Sequence, residues 1–247
     1  MVVVAHPDDE AIACGALLQR MRSPAIVFMT DGAPEDPKFW GKPYSSRAYY
    51  MDVRRSEAQN ALSQIRAASE PFDVPDQNLY RNLDSAIQHL NQLIQRYRPE
   101  IILTHAYEGG HPDHDACSFL SSVIGKQFGV PVWEMPLYNR AAGEMVRQQF
   151  LTRDDSPGRA VLTATVDEIQ HKKKMISAYQ SQADFIKDFE PEVEQFRPQP
   201  QYDFAEPPHK GVLNYEAWNW PMSGSDLCEA FKKIRDEGPQ RKREEAA

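Results

Sequence analysis

Short apolar runs alternate with helical patterns along most of this chain. The runs are rich in β-branched residues and bounded by turn-forming residues, which is typical of strands buried within a sheet. Between them, apolar residues recur at spacings of three and four, as on one face of a helix. The predicted strands are residues 2–5, 25–30, 101–106, 130–135 and 160–165. Strands that alternate with helices predict an α/β fold, a Rossmann-like and mostly parallel sheet with helices on both faces.

Proline positions add detail to this outline. Residues 33–44 contain three prolines and indicate a long loop between the second strand and the second helix, and loops of this length in compact domains are often functional. Pro131 places the run 130–135 near a sheet edge, because proline cannot donate to a central ladder. Prolines recur between residues 189 and 211, so we expect an extended surface segment there.

Composition bounds the class of protein. A length of 247 residues with 41% hydrophobic and 26% charged positions is ordinary for one globular domain. The net charge of -8 argues against nucleic acid as a partner. No apolar run reaches the length of a membrane span, and no leader pattern precedes the first strand. Three widely separated cysteines, Cys14, Cys117 and Cys228, predict reduced, buried thiols and a cytoplasmic location.

Two strand-to-helix junctions carry polar residues of the same kind. The first strand ends at His6, followed by Pro7 and the carboxylates Asp8, Asp9 and Glu10, and a later strand is followed by His111-Pro112-Asp113-His114. The carboxyl ends of parallel strands meet at one edge of a sheet, where α/β proteins place their sites. Two imidazoles and one carboxylate with an open fourth position are the ligands of a catalytic zinc ion. The junctions therefore predict a shared metal site.

Each junction also has a purely structural interpretation. Asp8 and Asp9 could cap the following helix and complement its dipole, although no Glu or Gln follows three residues on to form a capping box. His111 and Pro112 could simply mark a helix start. The occurrence of both patterns at equivalent strand ends favours a common site over two independent caps.

These motifs resemble those of a known family. Residues 6–10 and 111–114 are similar to the two motifs of the LmbE-like superfamily of zinc-dependent N-deacetylases, also called the PIG-L family. The similarity extends to residues 30–32, 54–57 and 174–182. It implies a deacetylase core over residues 1–185, followed by a C-terminal extension, 186–247, that packs on the core and ends in a frayed, charged tail.

The resemblance implies roles for the junction residues. His6, Asp9 and His114 would hold one zinc ion per chain, although iron or another divalent metal could occupy the same ligands. Asp8, beside ligand Asp9, would be the general base. His111 would polarise the substrate carbonyl or stabilise the oxyanion.

The resemblance also implies a substrate. Arg54 matches a family position that contacts sugar hydroxyls, although Arg54 and Glu57 on one helical face could instead form an ion pair. Relatives carry a tyrosine close before the second motif, where this chain has two glycines, and Tyr107 could substitute for it. The expected activity removes the acetyl group from a small N-acetylglucosamine-type sugar or its conjugate, releasing acetate and a free amine. An amidase on a larger thiol-sugar conjugate and a non-catalytic zinc- or sugar-binding module are the alternatives, and an oligomer is possible.

The remaining candidates have two interpretations each. Trp40, Trp218 and Trp220 could stack on a sugar ring or anchor their loops to the core. His105 lies close to a strand end and is expected to pack within the core. The run Lys172–Lys174 is most simply a solvated helix face.

Overall fold

A computed structural model of the protein describes residues 1–153 and 158–237. Its strands are β1 Val2–Val4, β2 Ala25–Phe28, β3 Ala68–Pro71, β4 Ile102–His105, β5 Val132–Met135, β6 Tyr138–Asn139, β7 Val146–Arg147, β8 Ala160–Thr163 and β9 Val193–Pro198. All except the β6–β7 ribbon form one seven-stranded sheet in the order β3-β2-β1-β4-β5-β9-β8. The first five strands in this order, β3, β2, β1, β4 and β5, are parallel to one another. Strand β9 is antiparallel to both of its neighbours, β5 and β8.

Helices cover both faces of this sheet. They are α1 Asp9–Arg20, α2 Arg47–Leu62, α3 Leu83–Tyr97, α4 Pro112–Phe128, α5 Val166–Ser177, α6 Ala183–Ile186, α7 Asn214–Ala217 and α8 Gly224–Glu237. Alternate residues of β1 face opposite sides, so Val3 packs with α3, α4 and α8 while Val2 and Val4 pack with α1 and α5. The predicted α/β architecture, with a mostly parallel sheet in one domain, is confirmed.

The sheet is extended in opposite directions from β1 and from β4, although these two neighbouring strands are parallel. The chain leaves β1 through α1 to pair β2 on one side, whereas β4 pairs with the other side of β1, with Val3 opposite Thr104. The loops that follow β1 and β4 therefore diverge and leave a crevice at the carboxyl ends of these strands. Ligands bind at this point of open α/β sheets.

Two local predictions were wrong. The segment 189–211 is not simply an extended surface segment, because residues 193–198 form β9, which inserts between β5 and β8. Pro131 is not at a sheet edge: it directly precedes β5 and contributes its carbonyl oxygen to the Ile102 N–H, a role that needs no proline N–H. The division of the chain at residue 185 stays a prediction, and residues 238–247 of the charged tail lie outside the described residues.

Lys172 is not solvated, contrary to expectation, but fully buried. Its Nζ donates to Glu194 Oε1 at 2.7 Å, and the same carboxylate accepts the N–H groups of Ala16 and Leu17 at 2.7 and 2.9 Å. Helix α1 is interrupted at Cys14, whose φ of -143° is not helical. Glu194 therefore caps the second part of α1, and Lys172 neutralises its charge.

Replacing Lys172 by methionine is expected to lower the free energy of unfolding by about 3–5 kcal/mol, because Glu194 would keep a buried charge without its cation. Urea unfolding followed by circular dichroism measures this loss. Lys173→Met is the matched control, since the Lys173 side chain is 61% exposed and its replacement should change stability by less than about 0.5 kcal/mol. Equal effects of the two substitutions would contradict the assigned ion pair.

Two further expectations concern the state of the cysteines and the presence of a membrane span. Cys14, Cys117 and Cys228 are free and buried, as predicted. The Cys14 thiol lies within its own helix and contacts the Glu10 carbonyl at 3.3 Å. Among the residues that the structure describes, no helix is both long enough and apolar enough to cross a bilayer.

Candidate active site

The side chains predicted from the two junctions lie together at the carboxyl ends of β1 and β4. His6 Nδ1 is 3.4 Å from Asp9 Oδ2, and His114 Nε2 is 3.3 Å from both Asp9 Oδ1 and His6 Nδ1. All three side chains are buried. In the described part of the chain, three overlapping groups bring ligand atoms close enough to hold a metal ion: His6 with His111 and His114, Asp9 with His105 and His114, and His6 with Asp76, His111 and Asp113.

The spacing of these nitrogen and oxygen atoms, which come from three residues, fits a small divalent ion. Ligand atoms about 2.0–2.2 Å from a tetrahedral ion are separated by about 3.3–3.6 Å. Burial, together with the neighbouring His105, lowers the pKa of His114 to about 3, so its imidazole is neutral at physiological pH. Although burial opposes ionisation, His114 and His105 hold the pKa of Asp9 well below its usual range. A neutral imidazole and an ionised carboxylate are the forms that bind metals.

Two carboxylates that sequence reasoning did not assign lie behind His6. His6 Nε2 is 3.1 Å from Asp76 Oδ1 and 3.4 Å from Asp113 Oδ2. Although burial acts in the opposite direction, these carboxylates raise the pKa of His6 well above its ordinary value. Without a metal this favours the charged ring, so metal binding would require Nδ1 to lose its proton. The remaining proton on Nε2 would then point at the two carboxylates, and Nδ1 would face Asp9 and His114. A carboxylate behind a histidine is the usual support of a metal-binding imidazole.

His111 is oriented by the start of α4. Its Nδ1 accepts the Asp113 N–H at 3.1 Å, so the proton of the neutral ring lies on Nε2. Nε2 is 3.4 Å from Asp76 Oδ1, and the ring lines the cleft described below. Burial lowers the pKa of His111 well below its usual value. His111 therefore presents a neutral N–H donor to the cleft.

Asp8 reaches the same cleft beside Asp9. Its Oδ2 accepts a hydrogen bond from Arg54 Nη2 at 3.2 Å. Burial raises the pKa of Asp8 to about 7, against the opposing charge of Arg54. Arg54 is itself buried and donates through Nη1 to Ser181 Oγ at 3.4 Å, and Glu57 accepts from Ser181. Arg54 thus contacts the carboxylate of Asp8 rather than Glu57 of its own helix.

These side chains open into a cleft of about 310 Å³. One part of its wall is polar and the other is aromatic. The rings of Trp218 and Trp220 lie 5.1 Å apart, and the Trp220 ring is 4.9 Å from the His111 ring. Trp40 does not line the cleft, and its Nε1 donates to the Pro34 carbonyl in the 33–44 loop. Besides His6, Asp8, Asp9 and His111, the walls are formed by Ile12, Pro34, Phe39, Gly41, Tyr50, Arg54, Asp76, Gln77, Leu137, Tyr138, Gln182, Phe185, Trp218 and Trp220.

Tyr107 does not meet its expected role. It is 3% exposed, its hydroxyl donates to the Glu206 carbonyl at 2.9 Å, and its ring packs against Tyr202 and Phe204. The aromatic side chain is held in the core by this packing and does not line the cleft. We therefore assign it no contact with a substrate.

His105 packs in the core, as expected, and it also touches the site. Its ring stacks on His114 with centroids 3.9 Å apart, and its Nε2 lies 3.2 Å from Asp9 Oδ2. The same nitrogen accepts the Ala5 N–H at 3.1 Å. Its position at the end of β4, directly beside β1, is the only sequence signal for this contact.

The first half of this chain matches a known protein family, and relatives of named activity match a larger part of it. Residues 1–124 match the family model PIG-L, described as GlcNAc-PI de-N-acetylase. A 1D-myo-inositol 2-acetamido-2-deoxy-alpha-D-glucopyranoside deacetylase of Corynebacterium diphtheriae is 24% identical over 156 residues, covering 53% of this chain and 53% of that protein. A probable N-acetyl-alpha-D-glucosaminyl L-malate deacetylase 2 of Bacillus cereus is 24% identical over 190 residues. The match covers 74% of this chain and 83% of that protein.

Solved structures share the fold. The A40926 pseudoaglycone deacetylase Dbv21 superposes with a TM-score of 0.63 at 18% sequence identity, covering 80% of this chain and 95% of that chain. At this identity the likeness shows the fold alone. The present chain spans about half the length of the Corynebacterium relative that it matches.

Proposed function

Since the chain belongs to the PIG-L family of GlcNAc-PI de-N-acetylases, we propose that it is a metal-dependent hydrolase of N-acetylated amino sugars. Its products would be acetate and a free amine. One observation carries the proposal: ring nitrogens of His6 and His114 and the two carboxylate oxygens of Asp9 approach one another to 3.3–3.4 Å. They do so beside a cleft that His6, Asp9, Asp8 and His111 line.

The proposed ligands are His6, Asp9 and His114, holding one zinc ion per chain. Their mutual distances and the carboxylates behind His6 support this choice. Zinc favours such nitrogen and carboxylate ligands and keeps an open position in catalytic sites. Ferrous iron would accept the same ligands, so metal analysis of the purified chain has to decide between them.

The chain's own residues supply proton transfer and charge stabilisation. When bound, the divalent ion would polarise the amide carbonyl and lower the pKa of water from 15.7 to about 7. Asp8 takes the proton of the attacking water, and the Nε2–H of His111 donates to the carbonyl oxygen as negative charge develops there. The neutral His111 has only this proton, so Asp8 is the group that returns a proton to the leaving nitrogen.

The two parts of the cleft wall suit the two sides of a sugar. Arg54, Asp76 and Gln182 offer polar atoms to hydroxyl groups, and Trp218 and Trp220 offer aromatic faces to the apolar face of a pyranose ring. A volume of about 310 Å³ is at the low end for small-molecule sites. This size favours a single N-acetylated sugar over the larger thiol-sugar conjugate of the alternative proposal.

The direct test is acetate release from N-acetylglucosamine and its inositol and malate glycosides by the purified chain, with metal content measured in parallel. We expect acetate to appear, and a chelator to abolish its release. If the chain binds metal and these sugars but releases no acetate, it is the non-catalytic binding module. If none of these compounds binds, the sugar assignment fails.

Replacing His111 by alanine is expected to lower kcat by about 10²-fold or more, because the developing oxyanion loses its neutral donor. KM and metal content should change little, since His111 is outside the proposed ligand set. Steady-state kinetics and metal analysis of the same sample separate these quantities. A variant that loses its metal instead would place His111 among the ligands.

A further inference from the structure

The backbone of Asp8 has a conformation that residues with a side chain seldom adopt. Its φ is +135° and its ψ is -31°. Such a conformation persists only where the surroundings hold it, and it is common at functional sites. Asp8 also precedes α1 directly, and its carbonyl accepts the N–H groups of Ala11 and Ile12 at 3.0 Å each.

The N–H of Asp8 is held from within the same motif. It donates to Glu10 Oε2 at 3.1 Å. In a capping box this N–H is accepted by a Glu or Gln three residues later, and here Glu10 accepts it from a position two residues later. Tyr179 Oη donates to the other oxygen, Glu10 Oε1, at 2.5 Å. Glu10 and Tyr179 are both 0% exposed, and neither lines the cleft.

The carboxylate of Asp8 is also held by contacts that lead to the part of the chain near Tyr179. Arg54 donates to Asp8 Oδ2, and Arg54 in turn donates to Ser181 Oγ. Tyr179 and Ser181 are separated by one residue, after the end of α5. Residues 179–181, which we call the Tyr179–Ser181 segment, therefore support Asp8 at its backbone through Glu10 and at its carboxylate through Arg54.

We propose that the Tyr179–Ser181 segment and Glu10 position the base: they hold Asp8 in its positive-φ conformation and direct its carboxylate into the cleft. This inference rests on the proposed function, in which Asp8 moves the proton. Without the Glu10 acceptor, Asp8 can relax to a negative φ, and its carboxylate then leaves the place where the amide is attacked. Tyr179 and Glu10 act through Asp8 and touch no substrate.

The kinetic test compares Tyr179→Phe, Glu10→Ala and Ser181→Ala with the wild-type holoenzyme on N-acetylglucosamine or whichever glycoside gives acetate. Each should lower kcat, by about tenfold for Tyr179→Phe and about 10²-fold for Glu10→Ala, with KM within about twofold. Glu10→Gln and Ser181→Thr keep an oxygen in place and should restore most of the rate. Metal content should remain one ion per chain.

Tyr202→Phe is the matched control, because Tyr202 also donates its hydroxyl to a buried carboxylate, Glu134 Oε1 at 2.8 Å, outside the cleft. It should leave kcat and KM unchanged. If Tyr179→Phe behaves like Tyr202→Phe, or if its loss appears in KM alone, the positioning role is overturned.

A second readout does not depend on activity. Crystal structures of the wild-type chain, Tyr179→Phe and Glu10→Gln should show Asp8 at positive φ in the wild type and in Glu10→Gln, and displaced in Tyr179→Phe. An unchanged Asp8 in Tyr179→Phe overturns the inference even if the wild-type chain is active. If the wild-type chain is inactive on every sugar, the proposed function fails, and the φ of Asp8 alone decides the positioning.

Discussion

Replacing Asp8 by asparagine is expected to lower kcat for acetate release by about 10²–10⁴-fold, the contribution typical of a general base. Asparagine has nearly the same shape and still accepts the Arg54 hydrogen bond, but it cannot take a proton. Its neighbour Asp9 remains, so the chain should keep one divalent ion. Acetate release and metal content, measured on one preparation, check both statements.

The control for this substitution is Asp73→Asn. Asp73 pairs with Arg55 at 3.0 Å with its side chain 67% exposed, so the same chemical change occurs outside the cleft and should leave kcat unaffected. An Asp8→Asn enzyme that retains metal and works at the wild-type rate would falsify the assignment of the base. A variant without metal would instead make Asp8 a ligand.

Replacing His114 by alanine is expected to remove both the metal and the activity. Only His6 and Asp9 would remain of the three proposed ligand residues, whose side-chain atoms now approach one another to 3.3–3.4 Å. The rate should fall to that of the chelator-treated wild type. Added zinc should restore the chelated wild type but not the variant.

His171→Ala serves as the comparison, because His171 is exposed on α5, where its Nδ1 lies 2.8 Å from the Asp167 carbonyl of the same helix. Metal content measured by mass spectrometry should equal that of the wild type. If His114→Ala retains a stoichiometric ion, the ligand set must be drawn from the neighbouring group of His6, Asp76, His111 and Asp113.

The residues near the two strand ends were predictable because the rule that locates them is local. A buried strand that stops at His6 or before His111 must end at the edge of the sheet, and parallel strands bring such edges together. Asp76 carried no comparable signal. It lies in an irregular segment whose path is fixed by Asp113, which accepts the N–H groups of Gln77 and Leu79 at 2.6 and 3.0 Å.

The failures have a common physical origin in long-range partners. Lys172 looked solvated because its neighbours are lysines, yet its environment is set by Glu194 on β9. Tyr107 is near the second motif in sequence, but packing against aromatic residues of the C-terminal third turns it into the core. Periodicity reports which face of an element is apolar and does not report which distant side chain will meet it.

The metal-ligand triangle has a consequence beyond chemistry. His6 and His114 are 108 positions apart in the chain, so an ion shared between them would be a cross-link across the centre of the sheet. A species that binds only the native state stabilises it by mass action, in proportion to the logarithm of its concentration. The melting temperature of this protein would then report the metal supply of its surroundings, and scarcity would shorten its lifetime as well as its activity.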